Sequence, residues 1–421
     1  MNSFLLFGGL ESSSSLEFCL ALQQRGLGVL LIDTKRNRKG IPNFLNKVVP
    51  ASCVLDQFLV EPDDLPAIIQ KVDEWSRDHQ IVGGFNTTEE FLLNSAYVLE
   101  RLRCDGPGVF ASLVSSNKDL QRRLLGEYGP RMFTVEDGRP LGASYPLMIK
   151  PASAHGGAGI QVVWTEEEAR AALRARSGEV VVLEEFVEGT DFSVECIMQD
   201  GQFLFENVTE EYSLPYPLSH LEMGHGTPPT TLSDDTVREA YAINRSIHTR
   251  LGFRSGISHT EYRLDKQGRV RFIEIATRPP GDSLLRLYTL STGQPIEPHI
   301  IRSVMKEPVT YPQPTRWARQ AFFVHKPGTF SGISGHPAEV KPNYYYRTQE
   351  RGLPQRESLS SESRLHEIFC YFSPGERLRE LKDASTRVGF YVVSAPNKQD
   401  LIQCEESWGH KLSVDLHEDP Q

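Results

Sequence analysis

The sequence predicts a multidomain protein of the α/β and α+β classes, and three observations support this prediction. The chain has 421 residues, of which 39% are hydrophobic and 24% charged, so its composition suits about two to four globular domains. Near the amino terminus, an apolar run, a helical pattern and a second apolar run follow one another, which indicates a β-α-β unit. Residues 259–275 contain two strand patterns joined by a tight-turn sequence.

The N-terminal region, residues 1–112, is expected to be a Rossmann-like α/β domain. Residues 4–7, 29–33 and 81–85 are buried-strand patterns, and helical patterns lie between and after them. Gly8 and Gly9 precede the first helix, as glycines do in nucleotide-binding folds. The fingerprint of three spaced glycines is absent, however, so we favour a structural role over dinucleotide binding.

The net charge and the cysteines narrow the class of protein. A formal net charge of −10 argues against a nucleic-acid partner, which usually requires a basic surface. The six cysteines form no CxxC pair, which favours reduced thiols over disulfides or a zinc site. No apolar stretch has the length of a membrane span, and the first residues lack a basic signal-peptide region. We therefore expect a cytoplasmic protein without a membrane partner.

Two stretches of the middle region have the chemistry of an anion site. Residues 145–150 form a strand pattern that ends at Lys150, and a loop rich in glycine and alanine follows as far as Gly159. Bare backbone N–H groups in such a loop can bind phosphate, with Lys150 and His155 adding charge, although a mobile surface loop gives the same pattern. Upstream, residues 117–123 predict a basic helix capped by Ser116, whose charges we expect to be solvated.

A further strand pattern, residues 179–184, leads into an open segment that ends near Asp191. Unpaired backbone groups at such an edge can bind a flat heterocycle such as adenine, and an acid placed shortly afterwards can hold ribose hydroxyls. Taken alone, the same pattern also fits an ordinary strand-loop-strand connection.

The hairpin at residues 259–275 places two carboxylates close together. If Asp265 pairs with Gly268, Glu261 lies opposite Phe272 and diagonal to Glu274, at about 7–8 Å between backbones. Two acids on one face can share a cation, and Arg278 follows four residues after Glu274. A solvated face is the alternative for an isolated pair of glutamates.

Other segments give weaker signals. His220, Glu222 and His225 have the spacing of metal ligands, but no second cluster completes a site, so we predict a pocket-lining loop. Beyond residue 306, we predict strands at 318–325 and 388–394 and a turn at 327–332. No catalytic constellation stands out there, so we assign this region a structural role.

Taken in order, these motifs resemble the ATP-grasp superfamily from about residue 1 to 305. The closest resemblance is to carboxylate–amine ligases that join amino acids, such as the bacterial L-amino acid ligases and the dapdiamide-type synthases of antibiotic biosynthesis. The triplet His259-Thr260-Glu261 and the stretch IEIATRPPGD contribute most to it. The resemblance implies an ATP-grasp fold with a pre-ATP-grasp domain at 1–112, a lid subdomain at 113–190, a large subdomain at 191–305 and a small α+β domain at 306–421.

The resemblance also implies roles for individual residues. Lys118 and Lys150 match lysines that contact the ATP phosphates, and Arg278 matches an arginine that steadies the transferred phosphate. The lid over the phosphates corresponds to His155, Gly156, Gly157 and Gly159. The adenine hinge and the ribose-binding acid correspond to Glu184, Glu185, Phe186, Val187 and Asp191. The metal ligands correspond to Glu261 and Glu274, and the residues expected to act in catalysis are Arg278, Lys150 and His155.

The implied cofactors are ATP and a pair of Mg²⁺ ions, with Mn²⁺ as a substitute. Relatives commonly carry asparagine as a further metal ligand where this chain has Ala276, which offers no side-chain oxygen. We expect His225, Arg278 and Arg286 to hold the substrates, which would be amino acids or acyl-amino acids. The resemblance also implies a homodimer.

The implied reaction is amide formation through an acylphosphate, which needs no serine or cysteine nucleophile. The alternatives are an ATP-grasp carboxylase, a ligase of an acid that is not an amino acid, and a nucleotide-binding regulatory protein without turnover. A dehydrogenase, suggested only by Gly8 and Gly9, has the least support.

Overall fold

The first sheet of the protein is parallel and belongs to the N-terminal region. The structure, a computed structural model, describes residues 2–8, 15–35, 53–136, 138–153, 159–213, 221–344 and 360–417. The sheet has the strand order β3-β2-β1-β4. Its elements are β1 (Asn2–Phe7), α1 (Ser15–Gln24), β2 (Gly28–Thr34), β3 (Val54–Val60), α2 (Leu65–Asp78), β4 (Gln80–Asn86) and α3 (Leu92–Arg101).

Both faces of this sheet are covered, which explains why its central strands β1 and β2 contain continuous apolar runs. Leu5 and Phe7 pack in one core cluster with Trp75 of α2. Phe4 and Leu6 face the other side and pack with Phe18 of α1. The α/β character predicted for the N-terminal region is present in the structure.

Two short helices lead from this region to the next: α4 (Val109–Ser115) and α5 (Lys118–Leu125). Asn117, and not Ser116, caps α5, because its side chain accepts a hydrogen bond from the backbone N–H of Leu120 at 3.0 Å. The prediction of a solvated basic face is wrong for Arg122, which is 5% exposed. This buried guanidinium has a specific partner, described below.

A small antiparallel sheet, here called the lid sheet, follows. Its strands have the order β8-β7-β9, and one helix covers them. The elements of this segment are β5 (Val135–Glu136), β6 (Arg139–Pro140), β7 (Leu147–Pro151), β8 (Gln161–Val163), α6 (Glu166–Ala175) and β9 (Val181–Glu185). Lys150 therefore lies near the end of β7, beside the predicted loop.

The remaining elements build a larger α+β region. Its helices are α7 (Asp234–Leu251), α8 (Leu284–Thr292), α9 (Glu297–Val304) and α10 (Lys398–Lys411). Its strands are β10 (Gly189–Gln199), β11 (Gln202–Ser213), β12 (Glu222–Thr227), β13 (Gly256–Asp265), β14 (Val270–Ala276), β15 (Trp317–Phe322), β16 (Gly328–Ser334), β17 (Asn343–Tyr344), β18 (Arg364–Cys370), β19 (Arg377–Leu378), β20 (Gly389–Ala395) and β21 (Ser413–His417).

Most of these strands form one sheet of nine, in the order β14-β13-β10-β11-β12-β15-β20-β18-β17. The antiparallel pairing of β12 with β15, from Gly224 opposite Ala321 to Thr227 opposite Ala318, joins its two halves. The predicted domain boundary at residue 305 therefore falls between strands of one continuous sheet.

The predicted turn at residues 327–332 is wrong. This segment belongs to β16, which pairs with β19 and β21 in a separate sheet of three strands. The glycines that suggested a turn have a different purpose: the pairing with β21 shifts by one residue between Phe330 and Gly332. Glycine often occupies such a bulge, while Phe330 is fully buried beside it.

No helix among the described residues is long and apolar enough to cross a membrane.

A buried acid lies where α9 meets the first domain. Glu297 is 3% exposed. Burial, with a contribution from the nearby Glu17, raises the pKa of Glu297 to about 8, although Arg286 opposes the shift. The folded protein therefore keeps a proton on Glu297 that the unfolded chain has already released at neutral pH.

We expect Glu297→Gln to make stability less dependent on pH. Between about pH 4.5 and about pH 8 the folded state binds the extra proton, so each rise in pH lowers the free energy of unfolding, by up to about 1.4 kcal/mol per unit. Glutamine remains neutral and removes this slope. Urea unfolding across this pH range measures the effect, and Glu239→Gln on the exposed face of α7 is the control, expected to keep the wild-type slope.

Candidate active site

Eight of the predicted site residues converge on one cleft of about 380 Å³ between the lid sheet and the nine-stranded sheet. The predicted residues that line it are Lys118, Lys150, Glu184, Glu185, Val187, Asp191, Glu261 and Glu274. Gly159, Phe186, His225, Arg278 and Arg286 are described but are not part of its lining. His155, Gly156 and Gly157 lie outside the described residues.

The two predicted metal ligands lie directly opposite each other on β13 and β14. The predicted register is wrong at the turn and again at a bulge, and the two one-residue shifts together leave Glu261 and Glu274 on the same face. The turn pairs Asp265 with Arg269, because the Asp265 N–H donates to the Arg269 carbonyl at 3.0 Å. A bulge then leaves Ile273 unpaired, so that Glu261 faces Glu274 while Tyr262 faces Phe272. Without this bulge the two carboxylates would point to opposite faces of the sheet.

Cationic side chains flank this carboxylate pair. Lys118 Nζ lies 2.7 Å from Glu274 Oε1, and His259 Nε2 lies 3.4 Å from Glu261 Oε1. Burial raises the pKa of Glu274, and Glu261 adds to the rise, while Lys118 opposes it. Burial also disfavours the charge on Glu261, but His259 outweighs it and lowers the pKa of Glu261 to about 2. Glu261 is therefore a charged carboxylate at neutral pH.

His259 is itself fixed by a buried acid, Glu195, which sequence reasoning missed. His259 Nδ1 lies 2.7 Å from Glu195 Oε1, and Thr209 donates to Glu195 Oε2 at 2.9 Å. The Tyr288 hydroxyl also donates to this carboxylate. Burial lowers the pKa of His259, but the hydrogen bonds to Glu195 and Glu261 outweigh it and raise that pKa to about 10. The imidazolium thus positions Glu261 through its Nε2 atom while Glu195 holds its Nδ1 atom.

The donor set at this end of the cleft fits a magnesium ion. Mg²⁺ prefers carboxylate oxygens and usually keeps several waters. Two carboxylates from adjacent strands meet this requirement, and Ala276, buried opposite His259, adds no further oxygen. Glu261 and Glu274 are accordingly the residues able to hold the ion.

A buried triad joins α5 to the lid sheet. Glu184 is 1% exposed. Its Oε1 lies 2.6 Å from Lys150 Nζ and its Oε2 2.5 Å from Arg122 Nε. Burial disfavours the Glu184 carboxylate, but Arg122 and Lys150 outweigh this and lower its pKa to about 2. The side chain of Glu184 thus positions Lys150, so a role as part of the adenine hinge would fall to its backbone.

Apolar side chains also line the cleft, among them Pro130, Met148, Ile160, Leu221 and Ile273. Val187 also lines the cleft, and its carbonyl accepts a hydrogen bond from Arg263 at 2.7 Å. Arg263 forms a bidentate pair with Asp191, at 2.5 and 2.7 Å. The predicted ribose-binding acid and the predicted hinge are therefore held together by one arginine that the sequence did not single out.

Arg278 points to the N-terminal domain. Its Nε donates to Glu89 Oε1 at 2.5 Å, and its NH1 donates to the Pro279 carbonyl at 2.5 Å. A contact with a phosphate group would require Arg278 to exchange Glu89 for that group.

A charged cluster lies at the end of the cleft opposite the lid, and we call it the polar end. Its members are Glu222, His225, Asp282 and Arg387. His225 Nε2 lies 3.1 Å from Asp282 Oδ2 and 4.0 Å from Glu222 Oε2. Arg387 lies 3.7 Å from each of the two acids. His225 was predicted at the substrate site, and it lies behind Asp282, which lines the cleft.

Arg286, the other predicted substrate residue, lies in a different part of the molecule. It neighbours Glu297 and does not belong to the cleft lining. The loop residue Gly159 has φ +73°, and a Cβ atom there would come within 2.9 Å of Pro151. Glycine is thus required at the described end of the predicted lid loop.

The cleft lining contains five functional candidates that sequence reasoning missed: Glu211, Arg263, Asp282, Asp383 and Arg387. A sixth, Glu195, is buried outside the lining, where it holds His259. Glu195 lies in a mainly apolar part of β10, which was an available signal, whereas Glu211 lies among other polar residues of β11, which gave no such signal. Burial, together with Glu222, raises the pKa of Glu211 well above its usual range. Asp383 and Arg387 come from the region assigned a structural role, and their place in the cleft wall corrects that assignment.

Comparisons with known proteins agree with this geometry. The family described as "ATP-grasp domain" matches residues 143–285. The D-alanine–D-alanine ligase of Geobacter sulfurreducens is 24% identical over 229 residues, which span 51% of this chain and 71% of that protein. The phosphoribosylamine–glycine ligase of Thermococcus kodakarensis is 29% identical over 165 residues, spanning 35% of this chain and 37% of that protein.

Solved structures resemble the whole chain. The L-amino acid ligase from Bacillus licheniformis superposes with a TM-score of 0.76 at 19% identity, covering 99% of both chains. The phosphoribosylglycinamide synthetase from Anaerococcus prevotii gives a TM-score of 0.71 at 14% identity, covering 99% of this chain and 100% of that one. At such identities the likeness concerns the fold, and the predicted ATP-grasp fold is confirmed.

We expect Glu184→Ala to destabilise the protein by about 3–5 kcal/mol, because it leaves two buried cations without their partner. The midpoint of urea unfolding measures the loss. The adjacent Glu185→Ala is the matched control, since the Glu185 side chain is 42% exposed and pairs with Arg271 at 3.1 Å, so that its loss should cost less than about 1 kcal/mol. Equal losses in both variants would contradict the assignment of Glu184 as a buried clamp.

Proposed function

We propose that this chain, whose residues 143–285 are an ATP-grasp domain, is an ATP-dependent ligase that joins a carboxylate to the amino group of an amino acid. The observation that carries the proposal is the cleft itself. One end presents two lysines and a pair of facing carboxylates, and the other end presents acids and an arginine. The phosphates of a nucleotide complement the lysines of the first end. The ammonium and carboxylate groups of a zwitterionic substrate complement the acids and the arginine of the second end.

The nucleotide is expected to lie against the lid sheet. Lys150 and Lys118 neutralise its phosphates, the apolar lining takes the adenine ring, and Asp191 accepts from the ribose hydroxyls. Glu261 and Glu274 would hold Mg²⁺ or Mn²⁺, which when bound neutralises phosphate oxygens and orients them. Both lysines already face the cleft. Because Lys118 pairs with Glu274 and Lys150 with Glu184, each would exchange its carboxylate partner for a phosphate oxygen.

The first chemical step activates the acid. A carboxylate is a poor electrophile because its charge is delocalised and oxide is a poor leaving group. One carboxylate oxygen attacks the γ-phosphorus, the bond to the β-γ bridging oxygen breaks, and ADP leaves. The resulting acylphosphate has phosphate as its leaving group. Positioning by Lys150 and Lys118, with Arg278 after release from Glu89, is the contribution of the protein.

The second step forms the amide. The free amine attacks the acyl carbon, the bond from that carbon to the phosphate oxygen breaks, and the departing phosphate takes up the proton that the amine loses. The acids of the polar end, Glu222 and Asp282, attract the amine in its ammonium form into the cleft. The lid sheet and the loop before Gly159 would keep water from the acylphosphate.

The test of function is ATP turnover against a panel of amino-acid pairs, with mass spectrometry of the products. We expect ADP and phosphate, and a product with the mass of two substrates minus water. Formation of AMP would contradict the acylphosphate route. Absence of turnover with every acid would favour a nucleotide-binding regulatory protein. Roles in antibiotic assembly, a cytoplasmic location and a homodimer stay predictions.

We expect Glu274→Ala to keep the fold but to reduce ADP release by more than about 100-fold, since a metal ion contributes several kcal/mol to phosphoryl transfer. ADP release at saturating substrates and the thermal unfolding midpoint measure the two properties. The control is Glu188→Ala, whose side chain is 63% exposed and pairs with Lys266 outside the cleft lining. Full turnover by Glu274→Ala would refute the metal assignment.

A further inference from the structure

The C-terminal region supplies one wall of the polar end. A 3₁₀ turn, Ala384–Thr386, precedes β20, and the Asp383 side chain caps it by accepting from the Ser385 N–H at 2.9 Å. Asp383, Ala384 and Arg387 all line the cleft. The capped turn thus fixes the backbone from which Arg387 enters the cleft.

Arg387 is buried but poorly satisfied. The residue is 5% exposed. Its guanidinium stacks on Phe322, with 4.1 Å from Cζ to the ring centroid. Its terminal nitrogens lie 3.7 Å from Glu222 Oε2 and Asp282 Oδ2, which is beyond hydrogen-bond length. Among the described residues its buried Nε also has no hydrogen-bond partner.

A buried guanidinium normally has acceptors for its five N–H groups, because leaving them unsatisfied costs free energy. Arg387 instead has two carboxylates at a distance, an aromatic ring beneath it and open cleft beside it. A planar carboxylate is the ligand that matches such a fork, through two parallel hydrogen bonds. The stacking on Phe322 fixes the orientation of the guanidinium plane.

Glu222 and Asp282, on either side of Arg387, place negative charge next to the positive guanidinium. Glu222 and Asp282 are close enough to attract a cation bound next to the carboxylate, and an α-amino acid carries both charges on one carbon. A metal ion at Glu222, His225 and Asp282 is the competing occupant, since their ligand atoms lie within 4.8 Å of one another. Arg387 disfavours it, because a guanidinium 3.7 Å from two of the three ligands repels a divalent cation.

We infer that Arg387 binds the non-reacting carboxylate of an amino-acid substrate, and that the C-terminal region therefore selects the substrate. The inference rests on the proposed ligase function, in which the reacting carboxylate goes to the end of the cleft that carries Lys118 and Lys150. The carboxylate at Arg387 is then either the α-carboxylate of the amine substrate or a second carboxylate of the acid substrate.

The experiment compares amino acids with their carboxamides, in which the charge is removed. In the wild type, replacing the amine substrate by its amide should raise KM by about 10- to 100-fold, the loss of charge-assisted hydrogen bonds. Arg387→Met should raise KM for the amino acid by a similar factor, leave KM for ATP unchanged, and abolish the preference for the acid over the amide. Arg387→Lys, which keeps the charge without the fork, should show an intermediate loss.

Placing the amide in one substrate or in the other identifies which substrate supplies the carboxylate. Sensitivity to an amide in the amine substrate assigns Arg387 to that substrate, and sensitivity only to a second amide in the acid substrate assigns it there. The control Arg379→Met, an exposed arginine of the same region, should behave as the wild type. Equal discrimination between acid and amide in the wild type and in Arg387→Met would overturn the inference, as would a wild type that does not discriminate.

A binding measurement separates this inference from the proposed function. Thermal shifts of the wild type and Arg387→Met are recorded with each proteinogenic L-amino acid and its amide, without ATP. A shift that needs both Arg387 and the free carboxylate supports the subsite even if no ATP turnover is found, in which case only the ligase proposal fails. No shift with any amino acid, together with turnover unaffected by Arg387→Met, refutes the subsite while the ligase proposal stands. No shift and no turnover refute both.

Discussion

The carboxylates that crowd this cleft repel one another, and the fold depends on cations that reach them from distant parts of the chain. Each cation arrives from a different segment. Lys118 comes from the helix before the lid sheet, His259 from the central hairpin and Arg387 from the C-terminal region. In the buried triad, likewise, Glu184 is neutralised by two cations from different segments, Arg122 and Lys150. Neutralising the acids therefore also fastens the segments to one another, so that packing and function rely on the same contacts.

The bulge in β14 shows how local backbone geometry serves this arrangement. It brings Glu261 and Glu274 face to face, and it leaves Ile273 outside the ladder. The Ile273 carbonyl then accepts a hydrogen bond from Arg122 at 2.5 Å. Because Arg122 also binds Glu184, the irregular strand and the lid sheet share one guanidinium. A change in either element therefore alters the contacts of Arg122 beside Lys150 and Glu274.

The sequence predicted the fold class, because its ordered motifs resemble a known superfamily, and the structure brings the predicted Lys118, Lys150, Glu261 and Glu274 together in one cleft. It could not predict the register of the hairpin, since Glu261 and Glu274 meet only through a bulge that leaves no signature in the residue types. The glycines near Phe330 were misread because a bulged strand and a turn use the same residue. Arg387 was invisible for another reason: its partners, Glu222 and Asp282, are far away in the chain and become neighbours only in the folded sheet.

The pairing of β12 with β15 has a consequence for solubility. If the chain ended after α9, the backbone of β12 from Gly224 to Thr227 would lose its neighbour and become a bare edge. An unpaired edge of this kind is a template on which a second molecule can add its own strand. The C-terminal region therefore shields the protein from self-association, and a shortened chain would be prone to aggregate even where each remaining segment still folds.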